Sequence, residues 1–411
     1  MRKAIPSSRV GQPESMLDPV ARAQELRQLL RAKVILTVTT GATKLLEDEV
    51  LHLCGAAFSR KGRENLYRGG SAPGVMLWEG QQIPIKRPRV RGAGREVPLT
   101  SYQDLRSLEG VSEEITRLLL CGISSRDYGP AMARISEAAS ISKSQVSEAF
   151  GYATRKHLDQ INGRDLSAYR FVVLFFDGIA FAGTVVVVGL GITDTGEKVV
   201  LGLREGASEN AEVCGDLISS LKERGLQVPS RILVVIDGAK ALAKAVRSAW
   251  GSRALIARCR LHKARNVLEY LPESYQAEAR RRMNAAWNMN EYSEAKAELA
   301  KVVQWLSGIN ESAAESLKEA FEETLVMHRL RLPEILRKSL ATTNVIESAF
   351  SIVRERTRRV KNWRSGRDQV TRWAAAGLLV AEKRIRRIRG YKFLPLLVEA
   401  LTKLDPEKEV A

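Results

Sequence analysis

The sequence predicts an α/β protein built on a mixed five-stranded sheet, with an all-helical insertion and with helical and small β regions before it. Between residues 169 and 262, β-branched runs and amphipathic stretches alternate in the order β-β-β-α-β-α-β. Residues 263–341 contain no β-like run. The 411 residues are enough for two or three domains, each with its own core.

Three regions are predicted before the sheet, and a change in composition near residue 62 separates the first two. Residues 1–61 are predicted as a helical region, because apolar residues recur there at three- and four-residue intervals. Residues 62–101 are rich in Gly and Pro, with short β-prone runs between them. This pattern predicts a small β module with glycine-rich turns.

Residues 102–160 form a third region, which the sequence predicts to be helical and similar to a helix-turn-helix. Its last helix is expected to open with a capping box at Ser142. Lys143, Ser144 and Gln145 would then lie at the end that enters a DNA major groove. The alternative is a three-helix packing unit with a polar surface and no DNA contact.

The sheet domain is predicted in two parts. Residues 168–262 supply five strands and two helices, and Gly225 is expected to end the first of these helices. This strand order is the ribonuclease-H-like arrangement. After the helical insertion at 263–341, residues 342–411 are expected to return to the sheet domain with one long helix and a basic tail.

The positive charge of the chain is concentrated near its carboxyl end. There are 65 Lys and Arg against 47 Asp and Glu, for a net charge of +18, and residues 351–390 hold 13 basic and 3 acidic residues. Such a surface attracts a polyanion, most commonly nucleic acid. An anionic membrane fits less well, because few aromatic residues accompany the charges. The basic residues proposed to contact DNA are Arg354, Arg358, Arg359, Lys361 and Arg364.

Cysteine content and hydropathy bear on the compartment of the protein. The four cysteines show no paired spacing, which favours a reducing environment over a disulfide framework. No signal-peptide pattern and no apolar run long enough to span a bilayer is present. We therefore expect a cytoplasmic, nucleoid-associated protein without a membrane partner.

Two predicted strands end in the same way, each running into an Asp-Gly pair. Asp177 follows one apolar run and Asp237 follows another. If these strands pair in parallel, both carboxylates reach the same edge of the sheet, where sites form in open α/β sheets. Oxygen ligands at such an edge suit Mg²⁺ or Mn²⁺. Taken alone, however, an Asp-Gly pair is more often a simple turn.

Glu347 is the best candidate for a third carboxylate, because a two-metal phosphodiester site needs one more ligand. It lies near the start of a predicted helix, with Arg354 and Arg358 on the same face. The alternative is local: Asn344 and Glu347 have the spacing of a helix-capping pair.

Several motifs together resemble the Mutator-type insertion-sequence transposases of the acidic-triad (DDE) superfamily, which have a ribonuclease-H-like catalytic domain. The matching segments, within roughly residues 62–400, are FFDG, GLREGASEN, VVIDG, RCRLHKARNVLEYLP, TTNVIES and VRERTRRVKNW. The resemblance implies that Asp177, Asp237 and Glu347 bind two Mg²⁺ or Mn²⁺ ions. It further implies cleavage at terminal inverted repeats, transfer of the 3′-hydroxyl to target DNA, and a dimer or higher oligomer.

The resemblance also draws attention to a Cys-x-x-His pair and to two tryptophans. Cys259 and His262 match the family's signature. His262 is expected near the acids, in contact with phosphate or with a carboxylate, and Cys259 behind it as a packing residue. Glu209 is a further candidate for a place near the acids. A lone Cys-x-x-His pair is a poor zinc site. Trp287 and Trp305 are candidates for stacking on a displaced base, although their apolar flanks favour a place in the core.

Two other functions remain open on sequence grounds. A non-catalytic DNA-binding protein would share the basic tail, and a ribonuclease-H-like junction nuclease would share the acids. A nuclease would cut according to DNA structure, whereas a transposase would require its terminal repeats and would join strands.

Overall fold

The computed structural model divides the chain into two compact units. They are Met1–Ile115 with Ser125–Ala149, and Thr116–Ser124 with Phe150–Ala411. The structure describes residues 19–57, 66–78, 81–107, 116–117, 119–121, 143–181, 183–206, 210–228, 231–358, 360, 363 and 368–404.

The first unit combines a long helix with a small antiparallel sheet of order β1-β2-β3. Leu46 and Val50 of the helix belong to the same buried cluster as Met76, Ile83 and Val90 of the sheet. The elements described in this unit are α1 (Pro19–Cys54), β1 (Leu66–Trp78), β2 (Gln81–Gly92), β3 (Arg95–Val97) and α2 (Thr100–Arg106). A further helix, α3 (Lys143–Asn162), begins in this unit and continues into the second.

Strand β1 joins two β-prone runs that glycines separate in the sequence. Its pairing with β2 shifts register between Arg68 and Ser71, which marks a bulge. Gly70 lies in this bulge with φ +75°, a backbone conformation that few residues other than glycine adopt easily. The glycines therefore bend one strand rather than separating two.

The second unit contains a mixed sheet of order β6-β5-β4-β7-β8. Strands β4, β5 and β6 form an antiparallel meander, while β4, β7 and β8 run parallel. These strands are β4 (Phe171–Phe181), β5 (Thr184–Thr193), β6 (Lys198–Gly206), β7 (Ile232–Ile236) and β8 (Ala254–Arg258). The predicted strand order and the mixed pairing are both present.

Helices cover both faces of this sheet. On one face, α4 (Ala211–Glu223) and α5 (Lys240–Trp250) pack against alternate residues of the central strands, including Phe176 and Val234. The residues between them, including Phe175 and Val235, pack against the carboxyl-terminal helices on the other face. Burial on both faces explains why these strands are continuous apolar runs. Gly225, with φ +87°, follows α4 as expected.

The insertion is entirely helical in its described residues, as predicted. Its core is a separate cluster that includes Val267, Met283, Leu299 and Leu317. The helices are α6 (Arg260–Glu269), α7 (Glu273–Asn288), α8 (Tyr292–Ser307), α9 (Glu311–Glu319), α10 (Phe321–Arg329) and α11 (Glu334–Leu340).

Three helices complete the second unit: α12 (Asn344–Thr357), α13 (Gln369–Arg384) and α14 (Leu394–Lys403). Ile346, Phe350 and Val353 of α12 are fully buried in the cluster that includes β4. Glu347 lies on the face of α12 next to this packed stripe and is half-buried. None of the described helices is long and apolar enough to cross a membrane.

Candidate metal centre at the carboxyl edge of the sheet

Asp177 is the most deeply buried acid at the edge of the sheet. It continues β4 directly after Phe176, and only 3% of its surface is exposed. Its Oδ1 accepts a hydrogen bond from the Gly178 amide at 2.9 Å. Its Oδ2 is buried and has no hydrogen-bond partner in the described part of the chain. A buried carboxylate oxygen without a partner is energetically costly, which makes it a candidate for binding a ligand.

Asp237 follows the neighbouring parallel strand at the same edge. Phe176 of β4 pairs with Ile236 of β7, so the next residue of each strand is an aspartate. Asp237 is half-buried, and its Oδ1 accepts a hydrogen bond from the Ala239 amide at 2.9 Å. Parallel pairing therefore brings both acids to the same edge of the sheet, although Asp237 does not belong to the group of ligand atoms, described next, that lie within 4.8 Å of one another.

Glu347 reaches this edge from α12. One of its carboxylate oxygens, one oxygen of Asp177 and one ring nitrogen of His262 all lie within 4.8 Å of one another. Its Oε2 is also 3.3 Å from a guanidinium nitrogen of Arg354. The capping alternative is wrong, because Thr343 is the N-cap residue of α12 and Asn344 is already within the helix.

His262 completes this group from the first turn of α6. It is half-buried, and its Nδ1 is 3.3 Å from Oγ1 of Thr343. The amide and the hydroxyl of Thr343 both donate to Sγ of Cys259, at 3.3 and 3.4 Å. Cys259 and Thr343 are both buried, and each precedes one of the two helices, α6 and α12. Cys259 therefore does more than pack: it ties the helix of His262 to the helix of Glu347.

The ionisable groups of the candidate metal centre shift one another's pKa values. Burial raises the pKa of Asp177 to about 7; Asp237 and Glu347 raise it too, while His262 opposes them. The hydrogen bond with Cys259 raises the pKa of His262 to about 9, and the charges of Asp177 and Asp237 act in the same direction. Burial would raise the pKa of the Cys259 thiol, but its hydrogen bonds to His262 and Thr343 bring it below the usual value. Protons thus offset the clustered negative charge.

The donor set fits a hard divalent cation. The carboxylates of Asp177 and Glu347 converge, and the Asp177 oxygen without a partner supplies an unused lone pair. Ligand atoms of one ion lie about 3–4.4 Å apart when each is about 2.0–2.2 Å from it. A separation of up to 4.8 Å therefore needs only small side-chain movements.

The six residues Arg258–Lys263, which we call the junction, lead from β8 into α6 and contact several parts of the second unit. Arg258 bonds to Glu323 and to the carbonyl oxygen of Gly238, beside Asp237. Lys263 is 1% exposed and bonds to Glu319 at 2.9 Å. Sequence analysis missed these basic residues, because a charged run normally indicates a solvated surface.

Arg260, also in the junction, belongs to a group that we call the cationic joint: Arg260, His328 and Arg337. The Arg260 guanidinium donates to the carbonyl oxygens of Thr324 and Trp287 and lies 3.1 Å from Nδ1 of His328. Arg337 donates to the carbonyl oxygens of Met289 and Asn290 and to Oδ1 of Asn290. All three members of the joint are buried, and the groups they bond are carbonyl oxygens and a side-chain amide rather than carboxylates.

The two tryptophans differ in their surroundings. Trp287 is 3% exposed in the core of the insertion, and its indole N–H donates to Thr324 Oγ1 at 3.3 Å. This placement supports the core interpretation, and the buried ring offers no free face for base stacking. Trp305 is half-buried, with the guanidinium of Arg282 4.7 Å from its ring centre.

The predicted DNA-contacting residues are only partly described. Arg354 and Arg358 are exposed on α12. The other predicted DNA-contacting positions lie outside the described residues or have side chains that do: Lys143, Ser144, Gln145, Arg359, Lys361 and Arg364. The predicted helix cap Ser142 and the predicted neighbour of the acids, Glu209, also lie outside the described residues.

Comparison with known proteins gives a consistent result along most of the chain. The sequence model described as "Transposase, Mutator family" matches residues 15–375. The transposase for insertion sequence element IS6120 of Mycolicibacterium smegmatis is 30% identical over 285 residues, covering 67% of this chain and 83% of that protein.

More distant relatives cover a larger share of the chain. The transposase for insertion sequence element ISRM5 of Rhizobium meliloti (strain 1021) is 26% identical over 338 residues, covering 78% of this chain and 80% of its own. The transposase for insertion sequence element IS905 of Lactococcus lactis subsp. lactis (strain IL1403) is 25% identical over 353 residues, covering 84% of this chain and 87% of that protein.

Proposed function

Since this chain belongs to the Mutator family of transposases, we propose that it cleaves DNA at the terminal inverted repeats of its own element and joins the freed end to target DNA. The sheet domain is proposed to be ribonuclease-H-like, and the catalytic acids to be Asp177, Asp237 and Glu347. In the proposed reaction, water hydrolyses a phosphodiester at the element boundary. The released 3′-hydroxyl then attacks a phosphodiester of a second strand.

The observation that carries this proposal is the meeting of acids distant in sequence. Asp177 and Glu347 are 170 positions apart, yet their carboxylates lie within 4.8 Å of one another. The parallel pairing of β4 with β7, which ends at Phe176 and Ile236, supports a place for Asp237 at the same edge of the sheet. Paired carboxylates at this edge would bind two Mg²⁺ or Mn²⁺ ions, which supply Lewis-acid activation of the attacking oxygen and offset charge on the phosphate.

The protein's own contribution is to hold these groups in place. The Gly178 amide fixes one oxygen of Asp177, and the Ala239 amide fixes one oxygen of Asp237. The packed side of α12 holds the position of Glu347, since Ile346 and Phe350 are fully buried. Such preorganised ligands do not have to be rearranged when the reaction starts.

Arg354 supplies a positive charge next to the acids. Its guanidinium is 53% exposed and pairs with Glu347 at 3.3 Å. An incoming phosphate could take over this guanidinium, because Arg forms two parallel hydrogen bonds with phosphate oxygens. The exposed Arg358 and the basic tail beyond it would extend the same contact along the DNA backbone.

The proposal is tested with duplex DNA that carries the inverted repeats flanking the coding region. The wild-type protein is expected to nick this DNA at the element boundary with Mg²⁺ or Mn²⁺ and to join the 3′ end to a second duplex. Glu347→Gln should bind the repeats normally but cut at least about 10³-fold more slowly, because a ligand is lost. Glu355→Gln is the matched control, since Glu355 lies on the same helix and is 58% exposed.

The same assay separates the rival functions. Cutting that follows DNA structure and ignores the repeats, without joining, would indicate a junction nuclease. Binding to the repeats with no cutting under any divalent cation would indicate a DNA-binding protein without catalysis. Wild-type cutting by Glu347→Gln would reject the assignment of the acids.

A further inference from the structure

The imidazole ring of His262 lies next to the carboxylates of Asp177 and Glu347. One of its ring nitrogens is within 4.8 Å of the ligand oxygens of both Asp177 and Glu347. Asp177 also carries a buried carboxylate oxygen without a hydrogen-bond partner among the described residues. The three side chains come from β4, α6 and α12, so their convergence results from tertiary structure and not from local sequence.

The other side of the imidazole ring is held by hydrogen bonds. Nδ1 is 3.3 Å from Oγ1 of Thr343, and that hydroxyl donates in turn to Sγ of Cys259. Because the hydroxyl hydrogen points at sulfur, its oxygen is left to accept the Nδ1 proton. This leaves Nε2 as the nitrogen available to a ligand. A histidine that binds a metal through one nitrogen almost always donates its other N–H to a fixed acceptor.

We propose that His262 is a direct ligand of one divalent cation, which it shares with Asp177 and Glu347. Thr343 is the positioning residue that orients the ring, and Cys259 in turn holds Thr343. The inference rests on the proposed metal centre and adds an imidazole to a set of ligands that was otherwise all oxygen. An imidazole would bind the cation in its neutral form.

The nitrogen ligand has a consequence for metal preference. Imidazole binds Mn²⁺ more readily than Mg²⁺, which prefers oxygen ligands and gives up its water reluctantly. Replacing His262 with Asn should therefore weaken Mn²⁺ binding by at least about 10-fold while changing Mg²⁺ binding less. This preference is measured as the ratio of the dissociation constants for Mn²⁺ and Mg²⁺, and the measurement does not require DNA cleavage.

The direct test is electron spin echo envelope modulation of Mn²⁺ bound to the full-length protein without DNA. The wild type should show coupling to ¹⁴N, and labelling all histidines with ¹⁵N should replace it with ¹⁵N coupling. This comparison needs no substitution, so a misfolded variant cannot obscure it. His262→Asn should abolish the coupling, whereas His52→Asn, at an exposed position in α1, should retain it.

Thr343→Val tests the positioning role, because it removes the hydroxyl and keeps the shape of the side chain. We expect Mn²⁺ to bind about 10- to 100-fold more weakly. Mn²⁺ that binds saturably without nitrogen coupling, or coupling that survives in His262→Asn, would overturn the inference. Absence of Mn²⁺ binding to the DNA-free protein would overturn it too. Cutting at the repeats with Mg²⁺ or Mn²⁺ would leave the proposed function intact in every one of these cases, and the absence of cutting with any divalent cation would refute that function separately.

Discussion

The candidate metal centre and the cationic joint both contain buried charged groups, but these groups differ in whether the protein supplies their hydrogen-bond partners. In the joint, Arg260 and Arg337 donate to surrounding carbonyl oxygens and a side-chain amide. In the centre, one oxygen of Asp177 has no partner among the described residues. Hydrogen bonds from the protein itself mark a structural role, whereas an unsatisfied group marks a place for a ligand. Substitutions in the two regions should therefore separate activity from stability.

The largest effect is expected for Asp177→Asn. It should reduce DNA cleavage by at least about 10³-fold, because it removes a metal ligand. At pH 8 the metal-free variant should be more stable than the wild type by about 1–4 kcal/mol. The cause is the raised pKa of Asp177, about 7: the unfolded carboxyl ionises near pH 4, so the buried one loses stability as pH rises from 4 through 7.

Urea unfolding at pH 4 and pH 8, with and without Mn²⁺, checks this expectation. The stability difference should vanish at pH 4, and Mn²⁺ should stabilise only the wild type. Asp194→Asn, at a 40% exposed position after β5, is the control. A variant that is less stable than the wild type at pH 8 without metal would show that Asp177 has a structural role.

Arg337→Ala should show the reverse pattern. It removes a buried side chain and leaves the part-buried carbonyl oxygens of Met289 and Asn290 with fewer donors, and we expect a loss of about 2–4 kcal/mol in the free energy of unfolding. At a temperature where the variant is folded, its Mn²⁺ affinity should stay within about twofold of the wild type. Arg280→Ala, at an exposed position in α7, should change neither quantity. Lost Mn²⁺ affinity in a folded Arg337→Ala protein would mean that the joint is part of the centre.

The smallest effect concerns the pH dependence of the joint. Burial, together with the charges of Arg260 and Arg337, lowers the pKa of His328 to about 4. The unfolded histidine takes up its proton near pH 6.5, so stability should fall as pH drops from 6.5 toward 4, by about 1–3 kcal/mol. The slope of unfolding free energy against pH over this range should be shallower in His328→Gln. Equal slopes in the two proteins would show that His328 titrates normally.

The sheet and the paired aspartates could be predicted because their pattern is local. Apolar runs such as Phe171–Phe176 need burial on both faces, and the Asp-Gly pairs mark where each run ends. Parallel pairing then brings Asp177 and Asp237 together without further information. Burial of Trp287 also followed from its apolar flanks.

The parts that could not be predicted depend on tertiary contacts. Asn344 and Glu347 have capping spacing, but the hydrogen bonds of Thr343 to Cys259 place the start of α12 differently. Arg260 and Lys263 are charged residues that sequence patterns assign to the surface. Their burial depends on carbonyl and carboxylate partners from other helices, and no periodicity within their own segment reveals those partners.

The junction also limits how the chain can be shortened, lengthened or recombined. Deleting one residue between β8 and α6 would rotate the following helix by about 100° and bring Lys263 toward the acids in place of His262. Changes in length should therefore be tolerated far better in the turns between the later helices. A chimera that borrows the helical block of a relative should exchange it only beyond Lys263, so that the six residues stay with their own sheet.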